Sequence, residues 1–198
     1  MGLNPDQFKG QTPLDEDEKE GLLIPTISTR EELDEFEQQN IEEALQWVLS
    51  GSFMAESVIS EKFICSLHKR MFGSVWKWAG TYRKSNKNLG IDKWQIPEAL
   101  KILCDDTICL IQNQTFNQEE IAIRFKHRIV CIHCFPNGNG RHSRLMADII
   151  INKVFKRPLF SWGTGNISQQ GDIRKQYIDA LKIADQNNFD PLLKFARS

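Results

Sequence analysis

The sequence lacks several features that would place it in other classes of protein. No apolar run approaches the ~18 residues that a helical membrane span requires. The N-terminal stretch 1–21 has no apolar core like that of a secretory signal, and it is acidic where a transit peptide is rich in arginine. We therefore expect a cytoplasmic protein that does not contact membranes.

A large excess of charge of one sign is missing too. The chain has 25 Lys and Arg residues against 26 Asp and Glu residues, which gives a formal net charge of −1. Proteins that bind nucleic acid usually present a strongly basic chain or face. We expect no nucleic-acid partner, and any anion site must therefore be local.

The cysteine pattern of a disulfide-bonded protein is also absent. The five cysteines are odd in number and scattered along the chain. This pattern predicts reduced thiols in a cytoplasm. Cys131 and Cys134 have Cys-x-x-Cys spacing, and with His127 and His142 they could suggest zinc. A four-ligand zinc site usually shows two separated pairs, and a redox pair needs a βαβ setting. The sequence favours Cys131 in the core and Cys134 at a permissive loop position.

Most of the chain shows apolar residues at helical spacing. Residues 1–25 are polar and acidic and predict a flexible lead-in, and residues 26–198 predict one domain with its core at about 60–160. The pattern predicts an all-α domain of about six to eight helices with one small β excursion. The expected helices cover about 29–50, 60–72, 97–112, 118–133, 141–157, 172–185 and 190–196.

Two details of this pattern concern local structure. Ser28 with Glu31, or Thr29 with Glu32, has the form of a capping box at the start of the first helix. The stretch 76–96 breaks the helical rhythm with scattered glycines and asparagines, which predicts a β-hairpin or an irregular flap.

The segment His133–Arg144, with the sequence HCFPNGNGRHSR, carries the most chemical information. Its glycines on either side of Asn139 let the backbone approach a ligand closely. A predicted helix follows at once, and the free N–H groups and positive dipole at its start form an anion site, for phosphate in particular.

Arg141 and Arg144 lie three residues apart on the first turn of that helix. Cations at a helix N-terminus oppose the dipole, so this pair makes sense if an anion bridges it. His133, at the end of the preceding helix, could reach the same pocket as a general base. The structural alternative is that the glycines only cap a helix and the arginines are solvated.

At these residues the sequence resembles the Fic family, whose signature reads His-x-Phe-x-Asp/Glu-Gly-Asn-Gly-Arg-x-x-Arg. Stretches at 67–83, 177–181 and 191–195 also resemble the helices and flap of that family, and the whole length looks closest to the group called mobile mystery protein B. The matching residues of the signature are His133, Phe135, Gly138, Asn139, Gly140, Arg141 and Arg144.

The resemblance implies a protein nucleotidyltransferase that moves AMP from ATP to a Tyr, Ser or Thr hydroxyl of a target protein. It implies that His133 is the base, that Arg141 neutralises the β-phosphate and that Arg144 neutralises the γ-phosphate. Backbone N–H groups and the Asn139 amide would hold the phosphates. Phe135 would anchor the loop in the core. The residues of the phosphate loop are Gly138, Asn139 and Gly140.

The flap would clamp a segment of the target by adding a strand beside it. In this sequence the flap residues with that role would be Asn88, Leu89, Gly90 and Ile91.

Asn137 departs from the family signature, which has Asp or Glu there to hold Mg²⁺. Magnesium prefers oxygen ligands and usually one or two carboxylates beside the phosphates. Two interpretations follow. The enzyme could work with Mg²⁺ held mainly by the phosphates, or the chain could be a nucleotide-binding regulatory module with weak transfer activity.

Many Fic proteins also carry an inhibitory helix whose glutamate pairs with the second arginine of the signature. Glu32, four residues after Ser28, has the expected spacing, although Leu33 follows where Gly or Asn is expected. Glu37 is a looser candidate. The alternative is a capping box with a solvated acidic face. In that case inhibition could come from an antitoxin-like partner chain or from self-association.

Overall fold

In the computed structural model, residues 20–27, 29–164 and 171–198 are described. Most of the expected lead-in, and the alternative cap at Ser28, lie outside these residues. The described part of the chain holds eight α-helices and no β-ladder. The helices are α1 (Arg30–Ser50), α2 (Ala55–Val58), α3 (Glu61–Phe72), α4 (Ile96–Gln112), α5 (Gln118–Ile132), α6 (Asn139–Ile149), α7 (Asp172–Ala184) and α8 (Asp190–Ala196).

The all-α prediction is confirmed, and the seven expected helices are all present. The helix expected over 141–157 differs most, because it is α-helical only to Ile149 and continues as a π-helix over Ile150–Val154. The short helix α2 was not expected. At the start of α1 the Thr29 hydroxyl accepts from the backbone N–H of Glu32 at 3.2 Å, and the Glu32 carboxylate accepts from the N–H of Thr29 at 3.1 Å. This reciprocal pair is the capping box that the sequence predicts.

The expected β-hairpin is not formed. Residues 81–92 contain bends and no strand pairing, and the isolated bridge in the described chain joins Leu22 to Trp76. The backbone groups of this segment bond to the buried Arg83 side chain and to the end of α5 instead of to a partner strand. The flap is therefore a bent loop.

The helices pack as a layered bundle around α5, which lies between α4 and α6, while α3 packs against α1 and α6. The core side chains come from every layer, and Phe72, Phe125, Phe135 and Trp76 are its largest fully buried members. Such packing holds the end of α5 and the start of α6 in a fixed relation. Within the described chain, no helix combines the length and the apolar character that crossing a bilayer demands.

Candidate active site

His133 lies directly after the last residue of α5, where the chain turns out of the helix. Its backbone is left-handed, with φ 54° and ψ 56°, and its N–H donates to the Ile129 carbonyl at 3.2 Å. The side chain is 7% exposed. Burial, with a smaller effect from the Arg83 charge, lowers the pKa of His133 to about 4. The imidazole is therefore neutral at physiological pH and has a nitrogen that can accept a proton.

Arg83 fixes this turn, and sequence reasoning assigned it no role. Its Nε donates to the His133 carbonyl at 2.7 Å, and its Nη1 donates to the Ser85 carbonyl at 2.9 Å. Its Nη2 donates to the Ile91 carbonyl. The guanidinium is buried, and its donors join the flap to the backbone of the histidine. No local sequence pattern reveals these backbone partners, so sequence reasoning missed this role.

The flap residues do lie beside His133. Gly90 has φ 98°, and a Cβ there would stand 2.6 Å from the Cβ of His133, so only glycine allows this approach. The Ile91 N–H reaches the Ile132 carbonyl at 3.5 Å. Asn88 and Leu89 are exposed, with Leu89 at 55%. Gly90 and Ile91 therefore contact the histidine turn, whereas Asn88 and Leu89 lie exposed on the same loop.

Buried aromatic rings pack under the loop between α5 and α6. Phe135 stacks on His68 with ring centres 3.7 Å apart and meets His142 edge-on at 5.2 Å. His68 accepts from the N–H of Gly80 through Nδ1 at 3.0 Å, so its Nε2–H donates to the Asn137 carbonyl at 3.1 Å. Phe135 is the core anchor that the resemblance implies. His68, to which the sequence assigned no role, holds the loop backbone.

Asn139 does not present its amide to a ligand. Its Oδ1 accepts from the Phe135 N–H at 3.0 Å, and its Nδ2 donates to the Phe135 carbonyl at 2.8 Å. The side chain is 4% exposed. The expectation that this amide holds phosphate would require it to leave these two bonds. The amide closes the loop on itself, which leaves the backbone N–H groups as the donors that a ligand can reach.

The two glycines of the loop differ in what they allow. Gly138 has φ 75°, and a Cβ there would stand 2.6 Å from the Phe72 ring, so this residue must be glycine for the turn to form. Gly140 has ordinary helical geometry, and a Cβ there would have no neighbour within 4 Å. The first bond of α6 runs from His142 N–H to the Gly138 carbonyl, so the N–H groups of residues 139–141 have no acceptor within the helix.

This difference predicts opposite effects for two alanine substitutions. Gly140→Ala should raise the free energy of unfolding by about 0.5–1 kcal/mol, because alanine favours a helix over glycine. Its methyl group should weaken ATP binding about 10-fold or more, because helical Cβ atoms tilt towards the helix N-terminus, where the N–H groups without a helical partner lie. Calorimetric titration with ATP and thermal unfolding check both effects. Gly138→Ala is the matched control and should lower the melting temperature. Unchanged ATP affinity in Gly140→Ala would contradict a ligand at this helix start.

Glu37 reaches the same helix start from α1. Its side chain is 2% exposed, and its Oε2 accepts from Nη1 of Arg141 at 2.6 Å. Its Oε1 accepts from Nε1 of the buried Trp76 at 2.5 Å. A solvated acidic face is therefore wrong for Glu37, whereas Glu32 does lie at the exposed capping box. Glu37 pairs with the first arginine of the segment, not with the second.

Arg144 points to a different neighbour. Its guanidinium carbon lies 5.5 Å from the centre of the buried Tyr177 ring, and Nζ of the fully buried Lys126 lies 4.4 Å from the same centre. Two basic side chains therefore lie near one phenol ring. The arginines are on one turn of α6, but Arg141 contacts α1 and Arg144 contacts α7. Arg144 is in none of the ion pairs of the described residues, although its charge acts on the partly buried Asp148 carboxyl.

Asn137 does not fit the role of a protein ligand for Mg²⁺. Its Oδ1 accepts from the Gly138 N–H at 2.7 Å, and its backbone carbonyl accepts from His68. A neutral oxygen that is already engaged is a poor substitute for the carboxylate that magnesium prefers. The loop itself therefore supplies no strong magnesium site.

Residues 58–151 match the model of the Fic/DOC family. Curated relatives are named protein adenylyltransferase Fic: the protein from Aedes aegypti is 24% identical over 159 residues, which are 78% of this chain and 30% of the relative. The protein from Nematostella vectensis is 25% identical over 167 residues, which are 82% of this chain and 37% of the relative. The chain thus spans about a third of the length of these relatives.

Solved structures share the fold. The N-terminal FIC domain of Bep8 from Bartonella sp. 1-1C superposes with a TM-score of 0.66 at 14% identity, covering 87% of this chain and 88% of that one. The BepC protein from Bartonella tribocorum, solved with bound AMPPNP, superposes with a TM-score of 0.60 at 18% identity, covering 96% and 93% of the two chains. Sequence identities this low show that the fold is shared. The activity has to be argued from the residues of the site.

Proposed function

Because the chain carries a domain of the Fic/DOC family over residues 58–151, we propose that it is a protein adenylyltransferase. The reaction would transfer AMP from ATP to a Tyr, Ser or Thr hydroxyl of a target protein. The observation that carries this proposal is the start of α6: the N–H groups of residues 139–141 have no acceptor within the helix, and they follow the short loop that begins at the neutral His133.

His133 would act as the general base. It takes the proton of the target hydroxyl while the hydroxyl oxygen attacks the α-phosphorus of ATP. The bond from that phosphorus to the bridging oxygen breaks, and pyrophosphate leaves. The buried Arg83 keeps the histidine at the rim of the site through the His133 carbonyl. General-base catalysis of this kind contributes roughly 10²–10⁴-fold to a rate.

The helix start would stabilise the phosphates. Donors aimed at developing charge are the main source of stabilisation in phosphoryl-type transfer. The N–H groups of residues 139–141 supply such donors without reorganisation, because Asn139 and His68 fix the loop. Arg141 would neutralise the β-phosphate once it leaves Glu37, and Arg144 would neutralise the γ-phosphate.

Magnesium would arrive with the nucleotide, since Mg²⁺ retains phosphate oxygens and waters as ligands. This assignment rests on the engaged and uncharged oxygen of Asn137. The metal would then be bound more weakly than in a loop that contributes a carboxylate.

Asn137→Asp tests the assignment. The new carboxylate should lower the Mg²⁺ concentration that gives half-maximal ATP binding by about 10-fold, since each carboxylate adds a full charge at close range. Titration of Mg²⁺ at fixed ATP measures this concentration. Asn113→Asp, which adds the same charge at the exposed end of α4, is the matched control. Equal Mg²⁺ requirements in Asn137→Asp and the unmodified chain would show that residue 137 does not face the metal.

Glu37 would inhibit the enzyme from within the chain. By holding Arg141 at 2.6 Å, it occupies the guanidinium that the β-phosphate needs. The resemblance implied inhibition through the second arginine, whereas the contact here involves the first. Glu32 lies in the capping box and would have no inhibitory role. An antitoxin-like partner or self-association would then act by stabilising or displacing α1.

The target would dock at the flap. Leu89 and Trp94 are 55% and 81% exposed beside the bent loop, and Asn88 and Gly90 are exposed as well. An extended segment of the target that pairs with this backbone would bring its hydroxyl to His133. ATP as donor and five unpaired thiols are our grounds for expecting a cytoplasmic setting.

The second candidate is a nucleotide-binding regulatory module with weak transfer, which the Asn137 and Glu37 contacts favour. Incubating the chain with ATP labelled at the α-phosphate, or in parallel at the γ-phosphate, separates the candidates. Adenylyl transfer labels a protein from the α-phosphate and not from the γ-phosphate. Nucleotide binding without either label on protein supports the regulatory module. Label from the γ-phosphate alone would contradict both.

A further inference from the structure

Three side chains with metal-binding atoms meet on the face of α5 that is turned towards α7. His127 and Cys131 are four residues apart in α5, so they lie one above the other on the same face. Asp185 directly follows the last residue of α7. Their ligand atoms all lie within 4.8 Å of one another. The site is separate from the loop at the start of α6, and nothing in the proposed transfer reaction uses it.

The distances within this trio are close to those of a tetrahedral metal site. The Cys131 sulfur lies 3.7 Å from Nε2 of His127 and 3.8 Å from Oδ1 of Asp185. Zinc bond lengths to sulfur, nitrogen and oxygen place such tetrahedral ligand pairs about 3.6 Å apart when sulfur is one of them. The Nε2 to Oδ1 distance is 2.9 Å, against about 3.3 Å for tetrahedral ligands. A small outward movement of the exposed Asp185 carboxylate would admit an ion.

The surroundings hold the imidazole in the orientation that a metal ligand needs. A backbone hydrogen bond at Leu181 and the edge-on ring of Phe189, with centres 5.4 Å apart, fix the His127 ring. Metal-binding histidines usually have their second ring nitrogen bonded in this way, to a carbonyl or carboxylate. The turn that carries Asp185 is tied to α5 as well, because Nη1 of Arg124 donates to Oδ1 of Asn187 at 3.1 Å.

The site is also reachable from solvent. Cys131 is exposed, against the sequence-based expectation that it lies in the core, and Cys134 is the buried one at 1%. The Asp185 side chain is 60% exposed and the His127 side chain is 13% exposed. An ion could therefore enter without unfolding and keep a water molecule at its fourth position.

We propose that His127, Cys131 and Asp185 form a binding site for a thiophilic divalent cation of the zinc type. The sulfur binds as thiolate and its proton passes to solvent. One thiolate, one imidazole and one carboxylate are the mixture that zinc accepts, whereas magnesium and calcium take oxygen ligands. The bound ion joins the last turn of α5 to the turn between α7 and α8. The four-residue zinc set suggested by Cys131 and Cys134 is not assembled, because Cys134 is buried and His142 bonds to the Ile64 carbonyl at 3.0 Å.

Titration of the metal-free full chain with Co²⁺ and Zn²⁺ tests this site. Co²⁺ should bind at one ion per chain and give the near-ultraviolet charge-transfer band of a cobalt–thiolate bond. Zn²⁺ should displace it and raise the melting temperature, since an ion that binds only the folded state stabilises it. Competition with a chromophoric chelator gives the affinity.

Three variants and one control identify the ligands. Cys131→Ser should lose the charge-transfer band, and Asp185→Asn and His127→Gln should each weaken Zn²⁺ binding at least about 10-fold. Cys109→Ser is the matched control, because Cys109 is an exposed cysteine on α4 that contacts Asn113. It should keep the band and the affinity. A thermal melt without metal shows that each variant is folded. A band that survives in Cys131→Ser, or equal Zn²⁺ affinity in all folded variants, would overturn the proposal.

Discussion

Replacing His133 is expected to abolish transfer while leaving nucleotide binding in place. The imidazole is neutral and buried at the rim of the site, and the phosphate donors belong to the backbone of α6. Removing a general base lowers a rate by about 10²–10⁴-fold. Label transferred from α-labelled ATP to protein should therefore fall by this factor in His133→Ala, and the Kd for ATP should change less than about 3-fold, because the ring is not one of the phosphate donors.

The backbone at this position calls for a second variant. His133 has φ 54°, and alanine is strained in the left-handed region, whereas asparagine adopts it more readily. His133→Asn therefore removes the imidazole with less disturbance of the turn. Both variants should lose transfer, and His133→Asn should keep the melting temperature closer to that of the unmodified chain. Transfer retained in a folded His133→Asn variant would show that another group takes the proton.

Glu37→Gln is expected to activate the enzyme. Glutamine has the shape of glutamate and can still accept from Nε1 of Trp76, but it no longer holds Arg141 by charge. Hydrogen bonds to charged groups are worth about 1.5–3 kcal/mol, so freeing the guanidinium for phosphate should tighten ATP binding by about 10–100-fold. Transfer at limiting ATP should rise in proportion. Calorimetric titration and the α-label assay measure the two effects.

Two variants in the same neighbourhood serve as controls. Glu32→Gln alters a glutamate of the same helix that lies in the exposed capping box, and it should leave ATP affinity unchanged. Trp76→Phe removes the donor to Oε1 and keeps a ring in the core, so it should loosen Glu37 and give a smaller activation. If Glu37→Gln folds and binds ATP no better than Glu32→Gln, the contact with Arg141 is structural and the inhibitory role is excluded.

The helices could be predicted because their signals are local. The capping box of Thr29, Gly51 after α1 and Pro97 at the start of α4 each mark an end within a few residues of sequence. The flap was predicted as irregular or as a hairpin, and the hairpin is wrong. Its backbone groups are taken by Arg83, a buried side chain whose partners no local pattern reveals.

The site could be predicted only in part, because some of its contacts join residues far apart in the sequence. The spacing of His133, Gly138 and Arg141 predicts a pocket at the start of α6, because a loop followed by a helix is a local feature. The partner of Arg141 lies 104 residues away in α1, and the Asp185 that completes the trio on α5 lies 54 residues from Cys131. Contacts at such separations depend on how helices pack. The Asn139 amide bonds to its own loop backbone, a contact that the spacing of the signature residues does not reveal.

The most direct test is a crystal structure of the Glu37→Gln variant soaked with a non-hydrolysable ATP analogue and Mg²⁺. We predict phosphate oxygens within hydrogen-bond distance of the N–H groups of residues 139–141, Arg141 turned to the β-phosphate, and the α-phosphate facing His133. An analogue bound elsewhere, or a helix start left free of phosphate with the His133 ring turned away, would contradict the proposal that this turn is a nucleotide site.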